Sequence, residues 1–239
     1  MVDSVLIILV LEAVTVYLIV LCVHSLRYRV GLSPLYLIMG VIAAVNSWIT
    51  NIDVYVETTG TSFMVGSIVF YSGLLLGVFV VYVLDGSQQT RRSIFTIARV
   101  SILMPIVVGI VHTQLVISGV SPTGLIPSPA IRSNIVSVVT IIADLVFLAI
   151  ACELSGKPDL RLKMLLRVFL TLLGVLWLDV LLFSTGAFAG TPYHLSIMKG
   201  SLLIRFVIAL FASPFIYMYL KCQIARTGHV TTNRPVLAI

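Results

Sequence analysis

Seven long runs of apolar residues dominate the sequence, and polar residues or segments containing glycine and proline separate them. The runs cover residues 5–25, 33–50, 62–84, 93–118, 134–154, 162–187 and 195–220. A helix of roughly 20 apolar residues crosses the hydrocarbon core of a bilayer and satisfies its own backbone hydrogen bonds there. The pattern therefore predicts an all-α integral membrane protein, a polytopic bundle of about seven transmembrane helices that has the lipid bilayer as its main partner.

The composition supports this interpretation. Of the 239 residues, 59% are hydrophobic and 10% are charged, whereas soluble domains carry about 25% charged residues. Seven spans use almost the whole length, so we expect one transmembrane domain over residues 1–222 and a polar cytoplasmic tail over residues 223–239. The first run has neither a basic segment before it nor a small-residue cleavage site after it, and we interpret it as a span rather than a signal peptide.

The basic residues predict how the bundle is oriented, because lysine and arginine near the ends of spans are retained in the cytoplasm. Alternate connections and the C-terminal tail hold nine of them, against one in the other connections. The nine are Arg27, Arg29, Arg91, Arg92, Lys157, Arg161, Lys221, Arg226 and Arg234, and the one is Arg132. We therefore expect an outer N-terminus and an inner C-terminus in the cell's inner (cytoplasmic) membrane. Scattered over loops, these residues do not indicate a nucleic-acid partner.

Ionisable residues within the spans are the most informative positions, since each is costly in hydrocarbon and normally faces a bundle interior or a polar cavity. Asp144 and Arg205 lie near mid-depth, and Asp179 lies in the outer half. We expect Arg205 to pair with one of these acids. On the last span, Ser201, Arg205, Ala209 and Ala212 form one small or polar stripe at helical spacing, which predicts that this face contacts other helices.

Three interpretations of these polar residues remain open: buried ion pairs that fix packing, a polar cavity that binds a solute, and a proton or ion relay. For a solute, the candidate binding residues are Asp179, Lys199, Arg205, Asp144 and His112, with Asn46 and Trp48 at the outer mouth. His112 alone is more typical of a satisfied interior histidine. Trp48 is more typical of the interfacial aromatic belt.

No catalytic signature occurs in the sequence. It contains no GxxxxGK[ST] phosphate loop, no HExxH zinc helix and no GxSxG turn. The three cysteines, Cys22, Cys152 and Cys222, form no CxxC pair. We therefore expect neither an enzyme, nor a cofactor, nor a metal site. A comparison with microbial rhodopsins also fails, because Lys199 lies near the outer end of the last span and the third span has no counter-ion carboxylate.

Three stretches resemble a known family when they are taken together in order. They are VVYVLDGSQQTRRSIFTIA at residues 80–98, LRVFLTLLGVLWLDVLLFSTGAF at residues 166–188 and MKGSLLIRFVIALFASPFIYMYL at residues 198–220. They are similar to the helix junction, the aspartate helix and the closing helix of the vitamin-uptake-transporter-like family and its related membrane sensor domains. Characterised members of that family import queuosine precursors.

The resemblance implies roles for individual residues of this sequence. Its motifs match Gly86, Arg91, Asp179, Phe183, Lys199, Pro214 and Tyr217. Two positions depart from the pattern. The acid expected before the turn is replaced by Val83 and reappears at Asp85, and the glutamine before the aspartate is replaced within GVLWL. These departures fit a member that kept the fold and changed its ligand, or that became a sensor or a structural subunit.

The sequence thus predicts a transporter or binding protein for a small solute, heterocyclic if the resemblance extends to the ligand. The alternative is a non-catalytic sensor-like or structural subunit that acts through a membrane protein partner or a second copy of the chain. A hydrated cavity of roughly 300 Å³ or more would favour the transporter. A tightly packed interior with Asp179 and Arg205 in direct contact would favour the subunit.

Overall fold

The computed structural model of the protein describes residues 2–52, 55–58, 61–64, 66–119, 131–155, 164–190 and 194–227. Its helices are α1 (Val2–Ser25), α2 (Arg27–Val30), α3 (Ser33–Ile52), α4 (Gly66–Asp85), α5 (Ser87–Ile117), α6 (Ile131–Ser155), α7 (Met164–Phe188) and α8 (His194–Thr227). The strands β1 (Tyr55–Thr58) and β2 (Thr61–Met64) form an antiparallel hairpin. All helices except α2 are long and apolar enough to cross a membrane. The predicted helical membrane bundle of seven spans is confirmed.

The two ends of the bundle differ, and we name them by their contents. The hairpin end is where α3 ends, α4 begins and β1 pairs with β2. The arginine end is where α1 and α4 end and α5 begins, and it carries Arg27, Arg91 and Arg92.

Two predicted spans begin elsewhere, and one helix continues past a third predicted boundary. The third span was expected from residue 62, but β2 uses Thr61–Met64 and α4 starts only at Gly66, because apolar residues suit a strand as well as a helix. The fourth span was expected from residue 93, but polar residues continue α5 back to Ser87. At the C-terminus, α8 continues to Thr227, into the segment predicted as tail from residue 223. The rest of that tail and most of the fourth connection lie outside the described residues.

Helix α4 is the centre of the bundle and α5 is its edge. In their apolar windows, 78% of α4 is buried against 11% of α5. Leu74, Leu75 and Leu76 of α4 are almost completely buried, so this helix has neighbours on all sides. It packs against α1, α3, α5 and α8, while α7 packs against α6 and α8. An all-round apolar helix is expected in such a central place.

Two glycines set how closely the helices pack. Gly86 has a φ of +85°, a left-handed conformation that residues with a Cβ rarely adopt, and it lets α4 turn directly into α5. At the contact between α6 and α7, a Cβ on Gly186 would lie 2.6 Å from Val136 Cγ1. The two helices therefore touch where glycine leaves room, next to the site described below.

Candidate functional site

An ion pair joins α7 to α8 inside the bundle. The guanidinium of Arg205 contacts the carboxylate of Asp179, and both side chains are about nine-tenths buried. Nη1 of Arg205 also donates to the carbonyl oxygen of Leu176 at 3.1 Å. The expectation that an acid approaches Arg205 is confirmed. The stripe to which Arg205 belongs also faces other helices, since Ala209 and Ala212 are buried.

A second carboxyl group lies close to this pair. Asp144 of α6 is completely buried and accepts a hydrogen bond from the hydroxyl of Tyr71. The ring of Tyr71 in turn lies under the guanidinium of Arg205, with its centroid 5.8 Å from Cζ. Tyr71 therefore connects Asp144 to the ion pair. The described interior holds two carboxyl groups beside one guanidinium here.

A small cavity of about 50 Å³ opens beside the pair, in the half of the bundle nearer the hairpin end. Its polar lining is Asn46, Thr50, Tyr71, Ser137, Asp179, Ser184, Ser201 and Arg205, and its apolar lining is Ile68, Ile141, Val180, Phe183, Phe188 and Ile197. Such a volume holds a few water molecules. Sites that enclose a small organic ligand usually measure roughly 300–1,000 Å³.

Apart from Oδ2 of Asp179, which contacts the guanidinium of Arg205, three buried polar atoms of the cavity-lining residues have no hydrogen-bond partner in the described part of the chain. They are Oδ1 of Asn46, Oγ of Ser184 and Nε of Arg205. Buried polar groups are nearly always paired, because an unpaired one keeps its full desolvation cost. Three of them around one cavity indicate a place where a further polar molecule is accommodated.

The structure brings together some of the predicted site residues and separates others. Asn46, Asp179 and Arg205 line the cavity, whereas Asp144 reaches it only through Tyr71.

The remaining three predicted residues do not line the cavity. Lys199 is exposed, and Trp48 is 40% exposed. Each lies two residues from a lining residue of its own helix, Ser201 or Asn46, and is therefore turned about 200° away from it. His112 is half-buried on α5, a helix that contributes no residue to the lining.

The residues that match the family's motifs also lie in different places. Phe183 follows Asp179 by one helical turn and lines the cavity with it. Pro214 is exposed on α8, and the half-buried Tyr217 is absent from the lining. A tyrosine two residues further on, Tyr219, belongs instead to a second polar cluster.

That second cluster lies at the arginine end and joins α1, α2, α4 and α8. Nε2 of His24 lies 2.7 Å from Oδ2 of Asp85, and its Nδ1 lies 2.7 Å from the hydroxyl of Tyr219. Nε of Arg27 lies 3.1 Å from Oδ1 of Asp85, so both carboxylate oxygens are occupied. We call His24, Arg27, Asp85 and Tyr219 the inner network.

The partners of His24 fix its tautomer. A carboxylate only accepts hydrogen bonds, so Nε2 carries the proton that it donates to Asp85. Nδ1 then accepts a hydrogen bond, and both the Tyr219 hydroxyl and Nη1 of Arg27 lie 2.7 Å from it. The inner network thus pairs both ring nitrogens of a completely buried histidine.

Sequence reasoning missed this network and several lining residues. Its members come from distant segments, since Asp85 follows His24 by 61 positions and Tyr219 follows it by 195. One signal was available, because Asp85 ends an otherwise apolar run. Tyr71, Ser137 and Ser184 carry no such signal, since isolated hydroxyls are common in spans.

Metal binding has no geometric support among the described residues, where no group of three or more His, Cys, Asp or Glu side chains could hold an ion. Cys22, Cys152 and Cys222 are free thiols.

Comparison with known proteins gives one match. A family described as vitamin uptake-like sensor matches residues 16–220, which includes all three stretches singled out from the sequence and both polar clusters. No curated protein and no solved structure matches the chain.

Proposed function

The chain belongs to the vitamin uptake-like sensor family, and on that premise we propose that it is a non-catalytic membrane sensor that recognises a small polar heterocycle in the cavity beside Asp179 and Arg205. The observation that carries this proposal is the set of unpartnered buried atoms around that cavity. Binding there changes the packing of α7 and α8, and a partner protein reads the change.

The unpartnered atoms define the ligand's chemistry. Oδ1 of Asn46 accepts a hydrogen bond, Nε of Arg205 donates one, and Oγ of Ser184 can do either. A ligand edge with an N–H group next to a carbonyl or ring nitrogen satisfies all of them. Because Asp179 already neutralises Arg205, the ligand itself needs no net charge. The rings of Phe183 and Phe188 supply an aromatic wall for a planar molecule.

The cavity's small size favours a sensor over a transporter. At about 50 Å³ it is too small for a heterocycle, so this conformation is a closed one. A ligand that binds only an expanded cavity shifts the population toward the expanded state by its differential affinity. Direct contact between Asp179 and Arg205 together with a small cavity is also the combination that the sequence associated with a sensor-like subunit.

Two helices connect the cavity to the opposite end of the bundle. Helix α4 contains both Tyr71 at the cavity and Asp85 in the inner network, and α8 contains both Arg205 and Tyr219. A helix is a rigid element, so a shift of α8 at the cavity moves Tyr219 as well. We infer that the arginine end is where a partner detects the bound ligand.

Ligand binding tests this proposal directly. The purified full-length protein is screened for thermal stabilisation by 7-deazaguanines, purines, pterins and other small heterocycles. A ligand that binds only the folded protein stabilises it by about 2.7 kcal/mol at about 100 times its Kd. Asn46→Ala and Ser184→Ala should weaken that stabilisation, because each removes an atom reserved for the ligand. Lys199→Gln, a charge change on α8 outside the cavity, is the matched control.

Two outcomes would contradict the proposal. Uptake of the same ligand into proteoliposomes, dependent on Asn46 and Ser184, would make the protein a transporter. Binding of no heterocycle in the panel, with no solute carried through purification under mild conditions, would leave the cavity as a packing defect that only water fills.

A further inference from the structure

A second, larger cleft opens at the arginine end. It measures about 400 Å³ and shares no lining residue with the cavity beside Arg205. Its walls come from α2, the first turn of α3 and the first turns of α5, and its polar side chains are Arg27, Tyr28, Ser33, Tyr36, Gln89 and Arg92, together with Asp85. It is large enough for a small organic group.

The charge of the cleft is positive. Two guanidinium groups, Arg27 and Arg92, face one carboxylate, Asp85. That carboxylate is fully engaged, since Oδ1 lies 3.1 Å from Nε of Arg27 and Oδ2 lies 2.7 Å from Nε2 of His24. Arg92 is exposed, and its Nη1 makes a long contact of 3.4 Å to Oε1 of Gln89. One positive charge is left over at the mouth of the cleft.

The neutral groups around this charge are suited to an oxyanion. The hydroxyl-bearing side chains of Tyr28, Ser33 and Tyr36 line the cleft, and the Tyr36 hydroxyl donates to Oε1 of Gln89 at 2.8 Å. Helix α3 starts at Ser33, so its first turn points toward the same space with the partial positive charge of a helix N-terminus. An arginine with hydroxyl donors and a helix N-terminus is the combination that binds phosphate groups.

The surroundings of the cleft are apolar. Leu26 and Val30, on either side of Tyr28, are 47% and 64% exposed. On α5, Phe95 lies on the same side as Arg92, three residues further on, and is 60% exposed. An acyl chain attached to the bound group would lie against these side chains.

We propose that this cleft binds the phosphate of an anionic lipid headgroup, with Arg92 as its main ligand and Ser33 as a further donor. Basic pockets between membrane helices are known places for such headgroups. The site is separate from the cavity of the proposed sensor function and does not depend on it. Because the cleft shares Arg27 and Asp85 with the inner network, a bound lipid contacts the cluster that joins α1, α4 and α8.

Lipid binding to the intact protein tests the proposal. The full chain in neutral detergent is titrated with phosphatidylglycerol, phosphatidylcholine or inorganic phosphate, and bound lipid is counted by native mass spectrometry. Phosphatidylglycerol should bind more tightly than phosphatidylcholine. Arg92→Gln should weaken that binding by about tenfold or more, as expected for a lost charge-assisted hydrogen bond. Lys221→Gln removes an exposed charge near the same end of the bundle and should change nothing.

The remaining outcomes distinguish a lipid headgroup from free phosphate and test whether Arg92 forms the site. Tyr36→Phe keeps the ring and the charge balance and should weaken binding less than Arg92→Gln does. Binding of inorganic phosphate alone, with the same dependence on Arg92, would keep the anion site and overturn the lipid source. Equal binding of phosphatidylcholine, or equal loss in the Lys221 and Arg92 variants, would overturn the site itself.

Discussion

The two polar clusters of this bundle are built in opposite ways. In the inner network, both nitrogens of His24 and both oxygens of Asp85 have partners within hydrogen-bond distance. Around the cavity, Asp179 and Arg205 pair with each other, but atoms of Asn46, Ser184 and Arg205 have no hydrogen-bond partner among the described residues. A completely satisfied network rigidifies a protein, whereas a partly satisfied one is costly unless something else completes it. The comparison distinguishes a structural cluster, the inner network, from a candidate binding site, the cavity beside Arg205.

The sharpest test of the comparison is whether the two clusters lie in opposite halves of the membrane. The charge bias predicts that the arginine end is cytoplasmic. In a background without Cys22, Cys152 and Cys222, Gln88→Cys and Ser118→Cys place one thiol at each end of α5. A membrane-impermeant reagent should label the second in intact cells and the first only after permeabilisation. The reverse pattern would invert the proposed orientation.

The next largest effect is expected at the ion pair. Arg205→Met strands the carboxylate of Asp179, and loss of one member of a buried pair typically costs about 3–5 kcal/mol. The double variant Asp179→Leu with Arg205→Met removes both charges and should be clearly more stable than either single variant. Reversible unfolding in mixed micelles measures the difference. A double variant no more stable than the worse single one would show that the two side chains act separately.

Removing one member of the inner network should lower the free energy of unfolding less than removing one member of the ion pair. His24→Leu keeps a similar volume but takes a partner from Asp85 and another from Tyr219, and we expect a loss of about 2 kcal/mol. Arg27 still pairs with Asp85, which limits the damage. Tyr219→Phe removes the hydroxyl that contacts His24 and Ser25 but leaves Arg27 beside Nδ1 of His24, and it should cost about 1 kcal/mol in the same assay. If His24→Leu unfolds as readily as Arg205→Met, the inner network is not the better compensated cluster.

The sequence predicted those features of the structure whose absence would cost the most free energy in a membrane. Seven apolar runs had to become helices, and Arg205 had to find an acid, because hydrocarbon tolerates neither an open backbone nor an unpaired charge. Which acid it found was not predictable, since Asp144 and Asp179 lie on different helices and only their packing distinguishes them. Lys199 was included as a site residue because lysine in a span suggests function, but its position on the opposite side of α8 from Ser201 was already implied by helical spacing.

The features that could not be predicted depend on small differences in free energy. Strand β2 was merged into the third span because its last residues, Phe63 and Met64, are apolar and come shortly before the apolar α4. The inner network joins the ends of three spans, and nothing local marks His24 or Tyr219 as partners of Asp85. The unpartnered state of Asn46 and Ser184 is a property of the packed bundle alone. A binding site that consists of buried polar atoms without hydrogen-bond partners can therefore be recognised only in the structure.

The smallest effect gives the cleanest contrast, because it compares two buried serines. Oγ of Ser72 lies 2.7 Å from the hydroxyl of Tyr17 and donates to the carbonyl of Val69, whereas Oγ of Ser184 has no partner in the described residues. Both side chains are almost completely buried. Ser72→Ala should cost about 1 kcal/mol, and it leaves the Tyr17 hydroxyl without a partner.

Ser184→Ala breaks no hydrogen bond among the described residues, so without ligand its free energy of unfolding should stay within about 0.5 kcal/mol of the wild type or rise. With ligand, the order should reverse: Ser72→Ala keeps the full ligand-induced stabilisation and Ser184→Ala loses part of it. Unfolding of both variants with and without the best heterocycle of the screen measures all four values. A Ser184→Ala variant that is already destabilised without ligand would show that its hydroxyl serves the fold, and the difference between the two clusters would disappear.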